Sequence, residues 1–147
     1  MAQVRPFFWF DDQAEEAARF YAEVFADAAD VSVELGPMPR IRIGDVELLL
    51  FNGGPHFTFT PAISLFVEVG TQDELDQIWE RFISNGGTEG QCGWLTDRFG
   101  VSWQVVPQAL GQLLGDPDPA RASAVHAAMM SMVKFDISEL ERAAAAP

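Results

Sequence analysis

The sequence predicts an α+β fold built from two βαβββ modules followed by C-terminal helices. Three observations carry that prediction. A run of large side chains changes to helical periodicity twice, the two apolar helical stripes superpose at one constant offset, and each is followed by short β-rich runs punctuated by Gly and Pro.

In the first module, spanning about residues 3–53, "FFWF" reads as a strand. Asp12 with Glu15 three residues later forms a capping-box pattern, after which Ala14, Ala17, Ala18, Tyr21, Val24 and Phe25 share one helical face. "VSVELG", "RIRIG" and "VELLLF" then read as three strands, with "GPMP" and Gly44-Asp45 as turns. The Gly53-Gly54 pair before Pro55 marks a tight connection between the modules. The second module, about 60–107, repeats the order. "AISLFVEVG" is its strand, Thr71 and Glu74 its capping box, and Leu75, Ile78, Trp79, Phe82 and Ile83 its stripe. The stripes superpose at one constant offset, since 79 − 21, 82 − 24 and 83 − 25 each give 58. Further strands are expected at 88–91, 93–95 and 101–106. The extension, about 108–147, reads as a short helix, a Pro-marked loop, a helix from about Pro119 to Met132, and a last helix opened by Asp136 or Ser138.

A chain of 147 residues with 48% hydrophobic content suits one domain with a sizeable core. Its 22 acidic and 9 basic residues give a net charge of −13, which repels phosphate backbones and argues against nucleic acid and anionic membranes as partners. A lone cysteine forms no intrachain disulfide, and no apolar run approaches membrane-spanning length. The expectation is a cytoplasmic protein.

The segments "WFDDQAEEAARFYAEVF", "FNGGPHFTF", "GGTEGQCGWLTDRFGVSWQVVP" and "LLGDPDPARASAVHAAMMSM" resemble the PhnB-like branch of the vicinal oxygen chelate superfamily. This superfamily includes glyoxalase I, extradiol dioxygenases and bleomycin-resistance proteins. The branch often carries the label 3-demethylubiquinone-9 3-methyltransferase, and the resemblance covers nearly the whole chain. Its main departure is the stretch between Phe25 and Val46, which is shorter than in relatives. The resemblance implies paired modules whose sheets form a cup, with metal ligands, usually His and Glu, near the first and on the last strand of each module. Those places fall near Pro6, at Phe51 or Asn52, near Ser64 and at Gln104. None is a strong divalent ligand, so neither a metal nor another cofactor is expected.

The alternation in "GVSWQVV" puts Val101, Trp103 and Val105 on one face and Ser102, Gln104 and Val106 on the other. Gln104 then either meets a small polar ligand or is satisfied by backbone. Candidate cup-lining residues are Phe8, Asn52, Ser64, Trp94, Ser102 and Gln104. Cys92 lacks a neighbouring base in "EGQCGWL" and reads as structural. Asp97 and Arg98 read as the turn before the last strand, while His56 and His126 suit surface or hydrogen-bonding roles. The sequence leaves three functions open. One is a metal-free binder of a small apolar or aromatic molecule. Another is a lyase, isomerase or dioxygenase that would need Glu34, Glu47 or Glu68 in a cup. The third is the methyltransferase of the label, although no Gly-rich turn between a strand and a helix supports it. A homodimer is expected, with Met129, Met130 and Met132 offering apolar surface.

Overall fold

The computed structural model describes residues 1–146. Contacts divide the chain into a unit Met1–Phe59 and a unit beginning at Thr60, a break that falls in the linker between the two expected modules.

The first unit runs β1 (Phe7–Phe10), α1 (Ala14–Phe25), β2 (Val31–Glu34), β3 (Arg40–Ile43) and β4 (Val46–Asn52). Its sheet has the order β1-β4-β3-β2, with β1 parallel to β4 and the other pairs antiparallel. The expected apolar face of α1 is buried throughout, joined by Phe20. It packs over the sheet face that carries Phe8, Phe10, Ile41, Leu48 and Leu50, all of them buried. The capping box expected from Asp12 and Glu15 does not form. The N-cap position falls at Gln13, which makes no side-chain cap, and the first-turn amide of Ala14 donates instead to Asn52 Oδ1 of β4 at 2.8 Å. The link runs from Asp11 to Gln13, and Asp12 falls one residue short of the cap position. A cap from a distant strand then satisfies the amide that the local residues miss.

The second unit runs β5 (Leu65–Val69), α2 (Gln72–Ile83), β6 (Thr88–Glu89), β7 (Trp94–Thr96), β8 (Ser102–Pro107), α3 (Gln108–Leu114), α4 (Pro119–Met130) and α5 (Ile137–Ala145). The sheet order β5-β8-β7-β6 repeats the first topology strand for strand. Here the local cap forms, with Thr71 accepting from the Glu74 amide at 3.2 Å. Leu75, Ile78, Trp79 and Phe82 are buried, and the Phe82 and Trp103 rings meet at 5.0 Å, so α2 covers the face bearing Leu65, Val67, Leu95, Trp103 and Val105.

The C-terminal helices follow the expected pattern, and Asp136 rather than Ser138 supplies the last cap. α4 ends at Met130, two residues before the expected end, because the chain turns to dock on module two. In that docked segment the Met132 and Val133 carbonyls accept from the Cys92 and Gly93 amides, both at 2.8 Å. Gln72 at the start of α2 donates to the Phe135 carbonyl and accepts from the Ile137 amide. The Phe135 ring is 1% exposed and lies where a side chain on Gly93 would have to stand, 2.4 Å from that position. Lys134 pairs with Asp76 at 2.7 Å. Burial pushes the Asp76 carboxyl up, but its hydrogen bonds from Lys134 and Gln72 and the Lys134 charge together hold it below the usual range. Met132 is buried within its own chain, so of the three methionines offered as external apolar surface only Met130 is exposed.

Candidate functional site

Residues paired across neighbouring strands project to the same side of a sheet, so register decides which candidates can act together. In module two, Phe66 of β5 pairs with Gln104 of β8, which pairs with Trp94 of β7. The next row joins Thr96 to Ser102. Ser64, two residues before Phe66, has the same parity. All six lie on the face turned away from α2. Four sequence candidates, Ser64, Trp94, Ser102 and Gln104, are therefore brought together.

Gln104 is satisfied by a side chain rather than by backbone. Its Nε2 donates to Ser64 Oγ at 3.0 Å, side chain to side chain. An amide nitrogen carries two hydrogens, its carbonyl is an acceptor, and a hydroxyl that accepts retains a proton to donate. The pair thus presents donors and an acceptor between two aromatic side chains, Trp94 and the 57% exposed Phe66. Ser102 is buried beneath, and Glu68 is exposed on the same face.

Phe8 and Asn52 do not join a comparable face in module one. Phe8 is buried on the α1 side, edge-on to Phe59 with ring centres 5.6 Å apart, and Asn52 is engaged as the α1 cap. For Phe8 the reason is a one-residue difference in the strand-to-helix links. β1 and α1 are separated by Asp11, Asp12 and Gln13, whereas only Gly70 and Thr71 separate β5 and α2. The helices therefore match at an offset of 58, but the faces of the first strands match at 59, and a shift of one residue exchanges the faces of a strand. The module-one counterpart of Phe66 is thus Phe7 (66 − 7 = 59), and that of Ser64 is Arg5 (64 − 5 = 59). Phe7 pairs with Leu49 as Phe66 pairs with Gln104, and Leu49 pairs with Arg40 as Gln104 pairs with Trp94. Glu47 with Arg42 likewise stands for Ser102 with Thr96.

If Ser64 and Gln104 stand at the ligand places that the resemblance implies, the register puts their module-one counterparts at Arg5 and Leu49 rather than at Pro6 and at Phe51 or Asn52. A guanidinium, an alkyl group, a hydroxyl and an amide do not suit a divalent cation, which prefers carboxylates, imidazoles or thiolates. Among the described residues no three His, Cys, Asp or Glu side chains are grouped to hold a metal.

The remaining candidates have structural roles. Asp97, 4% exposed, accepts from the Phe99 and Val101 amides and from the Trp103 indole, anchoring the turn into β8. The Arg98 guanidinium lies over the Phe99 ring at 4.7 Å. Cys92 occupies left-handed backbone at φ 56°, and its Sγ faces the Met129 carbonyl at 3.5 Å. His56 and His126 are exposed. Sequence reasoning missed Phe66 as a partner of Gln104, although the parity of "SLFVE" carries Phe66 with Ser64.

A family model described as 3-demethylubiquinone-9 3-methyltransferase matches residues 2–106, which leaves α3, α4 and α5 outside it. Among solved structures, the chain is similar to a PhnB protein of Bacillus cereus described as a putative 3-demethylubiquinone-9 3-methyltransferase. Identity is 28%, with 72% of this chain and 99% of that one covered and a TM-score of 0.61. The fold is shared with a Pseudomonas aeruginosa protein at 19% identity, covering 73% and 98% of the two chains with a TM-score of 0.58. It is also shared with a glyoxalase/bleomycin resistance protein of Albidiferax ferrireducens at 17% identity, covering 72% and 98% with a TM-score of 0.57. No curated protein matches. With duplicated βαβββ modules, this fold and this family match in agreement, the chain belongs to the 3-demethylubiquinone-9 3-methyltransferase (PhnB-like) family of the vicinal oxygen chelate superfamily.

Proposed function

We propose that this protein binds a small, neutral, apolar or aromatic molecule on the face of module two turned away from α2, without a catalytic metal. The observation that carries the reading is the Gln104–Ser64 hydrogen bond set between Trp94 and Phe66. Two aromatic side chains supply most of the contact area for a planar ligand, and the amide and hydroxyl fix its orientation through one donor and one acceptor. The donor set at the family's ligand places supports the metal-free part of the reading.

The methyl transfer named in the family description gains no support from the turns where a strand meets a helix. These are Asp11-Asp12-Gln13, Gly70-Thr71 and the direct β8–α3 junction at Pro107-Gln108, and none is the Gly-rich turn that brings backbone against a nucleotide-like cofactor. The reading includes a cytoplasmic homodimer, supported by exposed Phe57, Ile63, Phe66 and Met130. Light scattering is expected to give about 32 kDa, twice the 16.2 kDa chain.

Calorimetric titration with 2-naphthamide tests the binding reading. We expect saturable binding that Gln104→Leu weakens at least tenfold, with metal analysis well below one ion per chain. Unchanged affinity in Gln104→Leu, or stoichiometric zinc, nickel, manganese or iron, would overturn it.

A further inference from the structure

We infer that the corresponding face of module one binds a small organic oxyanion with an apolar body. Where module two carries Ser64, Gln104, Trp94, Ser102 and Thr96, module one carries Arg5, Leu49, Arg40, Glu47 and Arg42. Three of the nine basic residues of a chain with net charge −13 thus meet on one sheet face.

One carboxylate is shared by all three, and Arg5 also donates to Gln3 Oε1. Glu47, whose side chain is only 15% exposed, lies 3.2 Å from Arg5, 3.4 Å from Arg40 and 2.9 Å from Arg42. Each guanidinium has about five N–H donors, whereas a carboxylate offers only about four acceptor positions, so Glu47 orients the three arginines without exhausting them. Glu47 and its three partners sum to a charge of +2. The nearby acids, Glu34 beside Arg40 and Asp45 in the β3–β4 turn, are both exposed and screened by water. A cleft of about 480 Å³ opens beside Glu47, between Gln3–Pro6 and the β3–β4 hairpin, and is lined by Arg5, Arg42 and Asp45.

The apolar part of the site lies along the same face. Leu49 links Arg40 to Phe7, and Phe51 packs against both Phe7 and Trp9, with ring centres 5.5 and 5.2 Å apart. A ligand whose oxyanion meets the guanidiniums can therefore lay an aromatic or alkyl body over Leu49 and Phe7. Planar forked donors favour carboxylate or phosphate over halide.

The experiment is calorimetric titration at low salt with 2-naphthoate and 2-naphthyl phosphate, on the wild type and on Arg40→Met, Arg42→Met and Gln104→Leu, each checked by circular dichroism. The inference predicts that at least one probe binds the wild type, loses at least tenfold affinity in each arginine variant, and keeps its affinity in Gln104→Leu. The tighter probe identifies the oxyanion that fits. Absence of binding by both probes, or affinity unchanged by the arginine substitutions, overturns the inference. Loss of affinity in Gln104→Leu alone also overturns it, by moving the anion to module two. The proposed neutral site stands or falls separately, on 2-naphthamide.

Discussion

The two modules share strand order and helix placement, yet corresponding positions on their uncovered sheet faces carry opposite chemistry. Module one gathers three guanidiniums around Glu47, and module two places a neutral amide and hydroxyl between aromatic rings. The helix-covered faces diverge far less: Phe8, Phe10, Leu48 and Leu50 in one do the work of Val69, Leu95, Trp103 and Val105 in the other. Burying a helix against a sheet requires only apolar volume, so that face keeps its character through duplication. The other face is free of that requirement, so its side chains can specialise.

Stability should depend strongly on the C-terminal segment that anchors module two. The largest effect is expected at that anchor. Phe135→Ala should cost about 3–5 kcal/mol in chemical denaturation, since it empties a fully buried site over Gly93. A loss below about 1 kcal/mol would mean that the docked segment contributes little.

The caps come next. Asn52→Ala and Thr71→Ala should each cost about 1 kcal/mol, the first by removing a cap lent by β4 and the second a local one. Asp12→Ala should stay within about 0.5 kcal/mol. A larger loss at Asp12 than at Asn52 would restore the capping box that the sequence suggests.

Cys92→Ser should change stability by no more than about 0.5 kcal/mol and leave 2-naphthamide binding intact, because a hydroxyl can also donate to the Met129 carbonyl. Loss of binding with the fold preserved would return the thiol to consideration.

The smallest effect concerns pH. Asp76 is held below its unfolded pKa, so the stability it contributes is fully present above that value and is lost as pH falls through the lowered folded one. Hydrogen exchange of the Ile137 amide, which docks on Gln72 beside Asp76, should accelerate in that acid window in the wild type and lose this dependence in Asp76→Asn. The same dependence in both proteins would exclude Asp76 as its source.

The sequence carried the fold almost completely. The helical stripes, Thr71, the strand-forming runs and Asp136 are local patterns, and local patterns are what periodicity and capping rules read. The candidate site was legible only in module two, where the alternation in "SWQVV" puts Ser102 and Gln104 on one face. In module one the resemblance offered Asn52 and the aromatic runs offered Phe8, while the longer β1–α1 link moves the faces of the first strands to an offset of 59. A single loop residue exchanges every side chain of a strand between faces, and no pattern within the strand reports it. The arginine cluster was hidden for a related reason. Arg5, Arg40, Arg42 and Glu47 are scattered along the chain, and only the β3–β4 and β1–β4 registers bring them to one place.

The central claim is that corresponding faces of the two modules bind different chemistry. Its most direct test is a nitrogen–proton correlation spectrum that resolves side-chain signals, recorded with 2-naphthamide and then with 2-naphthoate. The account predicts that 2-naphthamide moves the Gln104 side-chain amide and the Trp94 indole and leaves the Arg40 and Arg42 Nε signals in place, while 2-naphthoate does the reverse. Movement of one common set of signals by both probes would contradict it.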